Sequence, residues 1–319
     1  MDSRKSGLIA IAGRPNAGKS TLLNRILGSA VSIVTPKAQT TRERVLGILT
    51  EPQGQIVFVD TPGIHSAKKG GFNEFMVSEA AEALDGPNLI WYLVDPDSAM
   101  DHEKTVIELL GARADRDTPV WILMNKSDLN RNTEDLGLEI QVRLRELSFR
   151  DVQLRKVSGR KGQGVDDLVS AAWSSLPEGP FLFPDEEQLS DRPVRFFVGE
   201  KIREQLFLKL GDELPYSCAV EIVQYRENVV PPRIEAVIHV ERDSQKGMVI
   251  GAGGKKIKEI GSAARQEIEA FVGGPVFLGL QVKVLPHWTR DAENLKRLGY
   301  LLPSTKSSQK GSQKGKRES

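Results

Sequence analysis

The segment GRPNAGKS, residues 13–20, constrains the fold of this chain more than any other stretch. It has the spacing G-x-x-x-x-G-K-S, follows the apolar run GLIAIAG and leads into the helix-forming stretch STLLNRIL. A glycine-rich turn between a buried strand and a helix presents backbone N–H groups to a polyphosphate. Because Gly13 and Gly18 have no side chains, the polyphosphate can approach the backbone closely. In such a loop Lys19 neutralises the β- and γ-phosphates, and the Ser20 hydroxyl ligates Mg²⁺. The segment therefore predicts a nucleoside-triphosphate site.

The rest of the first half alternates apolar runs with helical patterns, which is typical of an α/β fold. The apolar runs are rich in Val and Ile, as in strands that are buried on both faces of a parallel sheet. They lie at 7–13, 55–60, 88–95, 119–125 and 154–158, and helical segments include 19–28, 73–85 and 134–148. RVLGILTEPQGQIVFVD indicates one antiparallel edge pair. We therefore predict a mostly parallel, doubly wound sheet.

The second motif is the turn after the apolar run QIVFVD, where Asp60 and Gly63 have the spacing D-x-x-G. We expect the Asp60 carboxylate to reach Mg²⁺ through a bound water, and the Gly63 N–H to meet the γ-phosphate. Ile64 stands where a side chain could orient the attacking water, although it cannot hydrogen-bond. His65 follows, and we expect it to be a solvated loop residue rather than a replacement base.

A polar loop between these motifs, residues 35–45, carries the adjacent threonines Thr40 and Thr41. A second hydroxyl ligand of Mg²⁺ has to come from a segment that can leave when the γ-phosphate leaves. Either threonine fits this role, and we favour Thr41. The other threonine would then be a β-branched residue that favours the start of the next strand. We expect Thr41, Lys19 and Gly63 to take part in catalysis, and the predicted metal ligands are Ser20, Thr41 and Asp60.

Base recognition is predicted from NKSD, residues 125–128, which follows the apolar run PVWILM. An aspartate can accept two parallel hydrogen bonds from guanine N1–H and the exocyclic amine, so Asp128 would discriminate against adenine. Asn125 can bond guanine N7, and the aliphatic part of Lys126 can cover the ring. Each motif follows an apolar run, at the carboxyl end of a predicted parallel strand, where open α/β sheets bind ligands.

The last nucleotide motif is VSGR, in which Ser158 would buttress the base-binding loop and the Gly159 N–H would reach guanine O6. The full predicted nucleotide site is Gly13, Arg14, Pro15, Asn16, Ala17, Gly18, Lys19, Ser20, Thr21, Asp60, Thr61, Pro62, Gly63, Ile64, Asn125, Lys126, Ser127, Asp128, Ser158 and Gly159.

The second half predicts a separate, smaller α+β domain. Four prolines and an acidic cluster break the alternation around 174–193. Beyond them the predicted order is helix, strand, strand, short helix, long helix and strand, as in a type II KH domain. The longer elements are predicted at 196–210, 218–227, 233–242, 255–272 and 276–285.

A Gly-x-x-Gly loop at 251–254 joins the two helices of this second domain. From Arg242 to Lys258 five basic residues face one acidic residue, Asp243, in a chain whose formal net charge is +1. Glycines let a sugar-phosphate backbone lie against the loop, as KH domains bind single-stranded RNA. A repurposed module that binds no RNA is the alternative. The predicted RNA contacts are Ile250, Gly251, Ala252, Gly253, Gly254, Lys255, Lys256 and Lys258.

Composition limits the remaining classes of function. The single cysteine, Cys218, cannot form an internal disulfide, which fits a reducing compartment. Apolar runs such as LIWYLV are too short to span a bilayer, so we expect a cytoplasmic protein. The last residues, 303–319, hold five basic residues against one acidic residue, and from residue 304 onward there is no apolar residue, which predicts a disordered tail.

Together, the motifs GRPNAGKSTLLN, QTTR, VDTPG, NKSD and VIGAGGKKIKEIG resemble the Era family of bacterial GTPases over roughly residues 7–302. The resemblance implies a GTP-binding domain at 1–175, a linker at 176–195, a KH domain at 196–302 and an additional basic tail at 303–319. It also implies GTP/GDP and Mg²⁺ as cofactors, and slow, conditional hydrolysis, because an apolar residue at the position of Ile64 is usual in these GTPases.

The partners implied by the resemblance are small-subunit ribosomal RNA near its 3′ end and the pre-ribosomal particle, with GTP favouring RNA binding. The protein is expected to be a monomer, with peripheral contact to the inner face of the membrane as a family property. Asn16 matches a position that helps to hold K⁺ in related GTPases. The alternative function is an RNA-binding scaffold in which the nucleotide is structural; other GTPases with these motifs are disfavoured by the KH half. Ser158-Gly159 replaces the usual Ser-Ala.

Overall fold

The computed structural model of the chain describes residues 4–64, 71–129, 131, 134–211 and 213–301. They form two compact units. The first contains the described residues of Met1–Ala67 and Met76–Arg192, and the second contains those of Lys68–Phe75 and Pro193–Ser319. His65 and the tail at 303–319 lie outside the described residues.

The described part of the first unit is built on a six-stranded sheet with the order β2-β3-β1-β4-β5-β6. β2 is antiparallel to β3, and the other neighbours are parallel. These strand directions confirm the prediction of a mostly parallel α/β sheet with one antiparallel edge pair. β3, β4 and β5 are buried along their whole length, as their apolar sequences indicate. The strands are β1 (Lys5–Gly13), β2 (Val45–Glu51), β3 (Gly54–Asp60), β4 (Leu89–Val94), β5 (Val120–Met124) and β6 (Val152–Lys156).

Helices follow the parallel strands, so that the turns after the strands meet at one edge of the sheet. α1 begins at Lys19, after Gly18 with φ 97°, and ends before Gly28 with φ 62°, a left-handed conformation that glycine adopts without strain. The helices are α1 (Lys19–Leu27), α2 (Gly71–Glu82), α3 (Met100–Arg113), α4 (Glu134–Glu146) and α5 (Val165–Ser175).

The segment for which the sequence predicted a linker, 176–195, pairs with the first unit over most of its length. The Gln55 side chain bonds both the N–H and the carbonyl of Phe183, at 2.8 and 3.0 Å. Farther along, the Leu189 carbonyl accepts from the Ile48 N–H of the edge strand at 2.9 Å. The boundary between the two compact units falls inside the predicted segment, after Arg192.

The second unit has the predicted helix-strand-strand-helix-helix-strand order, and its described strands form a sheet with the order β7-β8-β9. β7 and β8 are antiparallel and β9 is parallel to β8, with apolar residues of α6 and α8 packed against them. This confirms the predicted smaller α+β domain. The elements are α6 (Val194–Lys209), β7 (Ala219–Arg226), β8 (Arg233–Val240), α7 (Asp243–Ile250), α8 (Lys255–Val272), β9 (Phe277–Val284) and α9 (Ala292–Arg297).

One piece of the first half belongs to the second unit, a division that the sequence did not predict. The Phe72 ring lies 5.5 Å from the ring of Trp288 and 4.8 Å from that of Tyr300, between centroids. Phe75 adds a contact of 5.3 Å with Tyr300. These aromatic contacts place the start of α2 in the second unit. Among the helices of the described residues, none is long and apolar enough to cross a membrane.

Candidate functional site

The phosphate loop leads from β1 into α1, as predicted. Lys19 is buried, and its Nζ donates to the carbonyls of Gly13 and Arg14 at 3.0 and 2.9 Å. Burial lowers the pKa of Lys19 to about 8, against the opposing effect of the Asp60 carboxylate. A Cβ at Gly13 would lie 2.4 Å from the Leu93 carbonyl oxygen, and one at Gly18 would lie 2.2 Å from Asn125 Nδ2. Both glycines are therefore required by close contacts within the protein itself.

The three predicted metal ligands lie together. Ser20 Oγ donates to Asp60 Oδ2 at 2.6 Å and lies 3.0 Å from Thr41 Oγ1. Thr40 is engaged elsewhere: its Oγ1 lies 2.8 Å from Thr35 Oγ1 and donates to the Lys37 carbonyl at 2.8 Å. The geometry thus separates the two threonines and favours Thr41, as the sequence did.

Asp60 has the properties of a carboxylate that binds a cation. It is fully buried, and burial raises its pKa, while Lys19 and the hydrogen bond from Ser20 oppose that rise. Among the described atoms, its Oδ1 has no hydrogen-bond partner. A hard cation prefers carboxylate and hydroxyl oxygens, so Ser20, Thr41 and Asp60 fit Mg²⁺.

The turn after β3 packs directly on the phosphate loop. A Cβ at Gly63 would lie 2.5 Å from the backbone nitrogen of Pro15. The Ile64 N–H donates to the Gly13 carbonyl at 3.0 Å, whereas the Ile64 side chain is 2% exposed in the apolar core with Ala80. Ile64 therefore contacts the site through its backbone, and Ile64→Gln would bury an amide rather than offer a group to water.

We expect Gly63→Ala to lower the rate of GTP hydrolysis on the order of 100-fold, because its methyl group would displace the phosphate loop or the turn. GDP contacts the same loop without needing the turn, so its affinity should fall less. Single-turnover hydrolysis and fluorescent GDP titration measure the two effects. Gly179→Ala is the matched control, since no atom of the residues described in the structure lies within 4 Å of its added Cβ. Hydrolysis at the unchanged rate in Gly63→Ala would exclude a role for this contact.

The base-binding residues are linked across three loops. Asn125 Nδ2 donates to the Ala17 carbonyl at 2.7 Å, and Asn125 Oδ1 accepts from the Gly159 N–H at 3.0 Å. Ser158 Oγ donates to Asp128 Oδ1 at 2.6 Å, and this bond is the main cause that lowers the pKa of Asp128. Asn125 thus joins the loops, and the hydrogen bond from Ser158 orients the Asp128 carboxylate.

Gly159, which stands where the family usually has alanine, lies close to α1. A Cβ at Gly159 would lie 3.1 Å from Leu22 Cα, so an alanine would require this part of α1 to shift by a few tenths of an ångström. Arg25, one turn farther along α1, donates to the carbonyls of Gly159 and Arg160 at 3.4 and 2.5 Å. The loop is therefore seated closely on α1.

A cleft of about 680 Å³ joins the phosphate loop, the threonine loop and the base-binding loop. This volume is in the range of small-molecule sites. Residues that the sequence did not single out also line it, and most of them adjoin a recognised motif, which is the signal that could have found them: Ile33, Val34, Thr35, Pro36, Gln39, Leu129 and Arg160.

The predicted RNA-binding loop joins α7 to α8 in the second unit. Gly253 and Gly254 have the left-handed φ values of 59° and 76°, and Gly251, with φ 71° and ψ 171°, has a backbone conformation that essentially only glycine adopts. Ala252, Gly253, Lys255 and Lys258 are exposed, while Lys256 Nζ pairs with Glu259 at 2.9 Å. A phosphate backbone could approach this loop closely beside exposed cations.

Comparisons with known proteins agree with this arrangement. A family described as 50S ribosome-binding GTPase matches residues 8–126, and the KH domain family matches residues 213–289. GTPase Era of Geobacter sp. (strain M21) is 46% identical over 302 residues, covering 93% of this chain and 98% of that protein. GTPase Era of Geobacter metallireducens is 44% identical over 300 residues, with the same coverage.

Two solved structures have the same overall similarity to the chain. A tyrosine-to-alanine variant of Aquifex aeolicus Era bound to GDP.AlF4⁻ is 36% identical with a TM-score of 0.84, covering 93% of this chain and 100% of that one. Era in complex with MgGDPNP and nucleotides 1506–1542 of 16S ribosomal RNA has the same identity and TM-score, covering 94% and 100%.

Proposed function

This chain belongs to the Era family of GTPases, and from that premise we propose that it is a GTP-controlled RNA-binding protein that acts in assembly of the small ribosomal subunit. GTP hydrolysis is the activity of this family. The observation that carries the rest is the presence, in one chain, of a complete guanine-nucleotide site and an exposed Gly-x-x-Gly loop flanked by lysines.

The proposed RNA partner is small-subunit ribosomal RNA near its 3′ end. The solved relative that holds MgGDPNP was bound to nucleotides 1506–1542 of 16S ribosomal RNA. In this chain, the loop Gly251–Gly254 and Lys255, Lys256 and Lys258 supply the contacts of the kind that KH domains make with single-stranded RNA, with Ile250 at the end of α7.

We further propose that hydrolysis is slow in the free protein. The Ile64 side chain lies in the core and cannot position water, so the attacking water would have to be oriented by another group. In the bound complex Lys19 and the Gly63 N–H would contact the phosphates, and Ser20, Thr41 and Asp60 would hold Mg²⁺, which shields the charge on them.

A group of contacts at the end of the threonine loop supports control by the nucleotide. The Arg44 N–H donates to Glu79 of α2 at 3.1 Å. The Arg44 carbonyl accepts from Arg192 at 3.0 Å, and Arg192 also lies 3.2 Å from Glu43. Arg192 is the last residue of the first unit, so a displacement of the threonine loop would reach the chain that enters the second unit.

Phosphate release with and without RNA tests this function against the RNA-binding scaffold. We expect a slow basal rate that changes when a fragment of the 16S 3′ end is added, and no change with a 23S fragment of equal length and base composition. Absence of hydrolysis under every condition would leave the scaffold, and an equal response to both fragments would contradict small-subunit specificity.

Potassium is a further proposed cofactor, because Asn16 matches a position that helps to hold K⁺ in related GTPases, and its side chain lies beside the Pro36 carbonyl of the threonine loop, to which its Nδ2 donates at 3.3 Å. A K⁺ ion beside the phosphates would use such amide and carbonyl oxygens. We expect GTP hydrolysis to be about tenfold faster in K⁺ than in Na⁺, and Asn16→Asp to change that ratio. Equal rates of hydrolysis in the two salts would exclude the ion.

We also propose that the protein is located in the cytoplasm and is a monomer. Contact with the inner face of the membrane depends on the basic tail at 303–319, which lies outside the described residues.

A further inference from the structure

A buried carboxylate lies next to the phosphate loop and is not among the predicted nucleotide contacts. Glu103 of α3 is 1% exposed, and its Oε2 accepts from the Tyr92 hydroxyl at 2.6 Å. Its Oε1 accepts from Ser98 Oγ, and Ser98 Oγ accepts in turn from Arg14 Nη1 at 2.9 Å. These four residues, Arg14, Tyr92, Ser98 and Glu103, are called the Glu103 cluster below.

The direction of the hydrogen bonds follows from the charges. Burial, and then the charge of Glu103, raises the pKa of Tyr92 well above its usual value, so its hydroxyl remains a donor. A buried carboxylate is costly unless donors and a cation compensate it. The Arg14 guanidinium supplies that cation through Ser98, and a chain of donors ending on a charge is strengthened by polarisation.

The cluster continues into the phosphate loop through the backbone of Arg14. The Arg14 carbonyl and the Gly13 carbonyl accept from Lys19 Nζ, at 2.9 and 3.0 Å. Since the Arg14 side chain extends to Ser98, the guanidinium fixes the residue whose carbonyl orients the phosphate-binding lysine.

The segment that carries Ser98 is itself held at its other end. The Asp95 carboxylate lies 2.5 Å from Lys126 Nζ of the base-binding loop. Within the segment, the Asp97 N–H donates to Asp95 Oδ1 at 3.1 Å, and the Ser98 N–H donates to the Asp95 carbonyl at 3.0 Å. This short turn therefore contacts the phosphate loop and the base-binding loop at once.

We propose that Ser98 and Glu103 are positioning residues for nucleotide binding, which hold the Arg14 guanidinium and thereby fix the phosphate loop in its receptive conformation. The proposal rests on the assignment of the nucleotide site and is independent of the RNA partner. Because GDP and GTP contact the same loop, the cluster stabilises both complexes and the transition state equally. Its loss should raise KM and leave kcat unchanged.

Ser98→Ala tests the proposal by cutting the path between Glu103 and Arg14. We expect the Kd for GDP and the KM for GTP to rise by the same factor, about tenfold, with kcat within twofold of the unchanged protein. Ser98→Thr keeps the hydroxyl and should restore both constants. Fluorescent GDP titration, steady-state hydrolysis and urea unfolding without nucleotide give the three readouts.

Tyr92→Phe is the matched control, because it removes the other hydroxyl donor from the same carboxylate and leaves Ser98 and Arg14 in place. It should lower the free energy of unfolding while changing the Kd for GDP less than about twofold. An equal rise in Kd for Tyr92→Phe and Ser98→Ala would show a general structural role and overturn the proposal. An unchanged Kd in Ser98→Ala would overturn it as well.

A double-mutant cycle gives a second measurement of the same contact. Once Arg14→Ala has removed the guanidinium, Ser98→Ala should weaken GDP binding by less than about twofold. Additive effects of the two substitutions on Kd would contradict a path through Arg14.

Discussion

An Asp128→Asn variant is expected to bind GTP about 1,000-fold more weakly than the unchanged protein, because the neutral amide oxygen can accept from only one of the two guanine donors and the amide N–H groups then face the other donor. Ser158 already donates to Asp128 Oδ1 at 2.6 Å, which holds the carboxylate in place for the base. Xanthine has a carbonyl oxygen where guanine has its exocyclic amine, so the side-chain amide introduced by the substitution can donate to it. The variant should therefore bind xanthosine triphosphate better than GTP.

Competition of GTP, ATP and xanthosine triphosphate against a fluorescent nucleotide measures this change in preference. Glu134→Gln is the control. Glu134, in α4, is another carboxylate whose pKa is lowered, in this case by its contact with Lys156. The control substitution should leave all three affinities unchanged. A preserved preference for GTP in Asp128→Asn would refute the assignment of Asp128 to the base.

The second large effect is expected from Ala252→Asp combined with Gly253→Asp in the RNA-binding loop. Two carboxylates would then face the phosphates of the RNA, and affinity should fall at least about 100-fold at low salt. Aspartate tolerates the left-handed conformation of Gly253, whose φ is 59° and ψ is 24°, so the loop should keep its shape. GDP affinity should be unchanged.

Ala252→Asn combined with Gly253→Asn provides the uncharged control, because asparagine has the same shape and also tolerates that conformation. Fluorescence anisotropy with a single-stranded 16S 3′ fragment compares the two variants. The asparagine pair should lose less than about tenfold. Retained RNA affinity in the aspartate pair would show that RNA binds elsewhere on the chain.

The fold and most of the nucleotide site could be predicted from the sequence because each motif is local. A phosphate loop or an Asn-Lys-x-Asp turn carries its spacing within a few residues, and a buried parallel strand shows as one apolar run. The boundaries were less accurate: β6 is Val152–Lys156, whereas the sequence predicted 154–158. Val157 instead donates to the Met124 carbonyl and leads into the Ser158-Gly159 segment.

Contacts between distant parts of the chain were not predicted. Phe72 has the sequence setting of the first domain, but its contacts with Trp288, Thr289 and Tyr300 assign it to the second unit. Ser98 and Glu103 belong to no motif, because their role arises from a hydrogen bond to a residue 84 positions away. Sequence spacing gives no signal for such a pair.

The affinity of the protein for the 16S 3′ fragment, measured with GDPNP and again with GDP, tests the central claim most directly. If the nucleotide controls RNA binding, the fragment should bind at least about tenfold more tightly in the GDPNP complex, a coupling of ordinary size for two sites. By reciprocity, RNA should tighten GDPNP binding by the same factor. Equal affinities in the two nucleotide complexes would contradict the proposed switch.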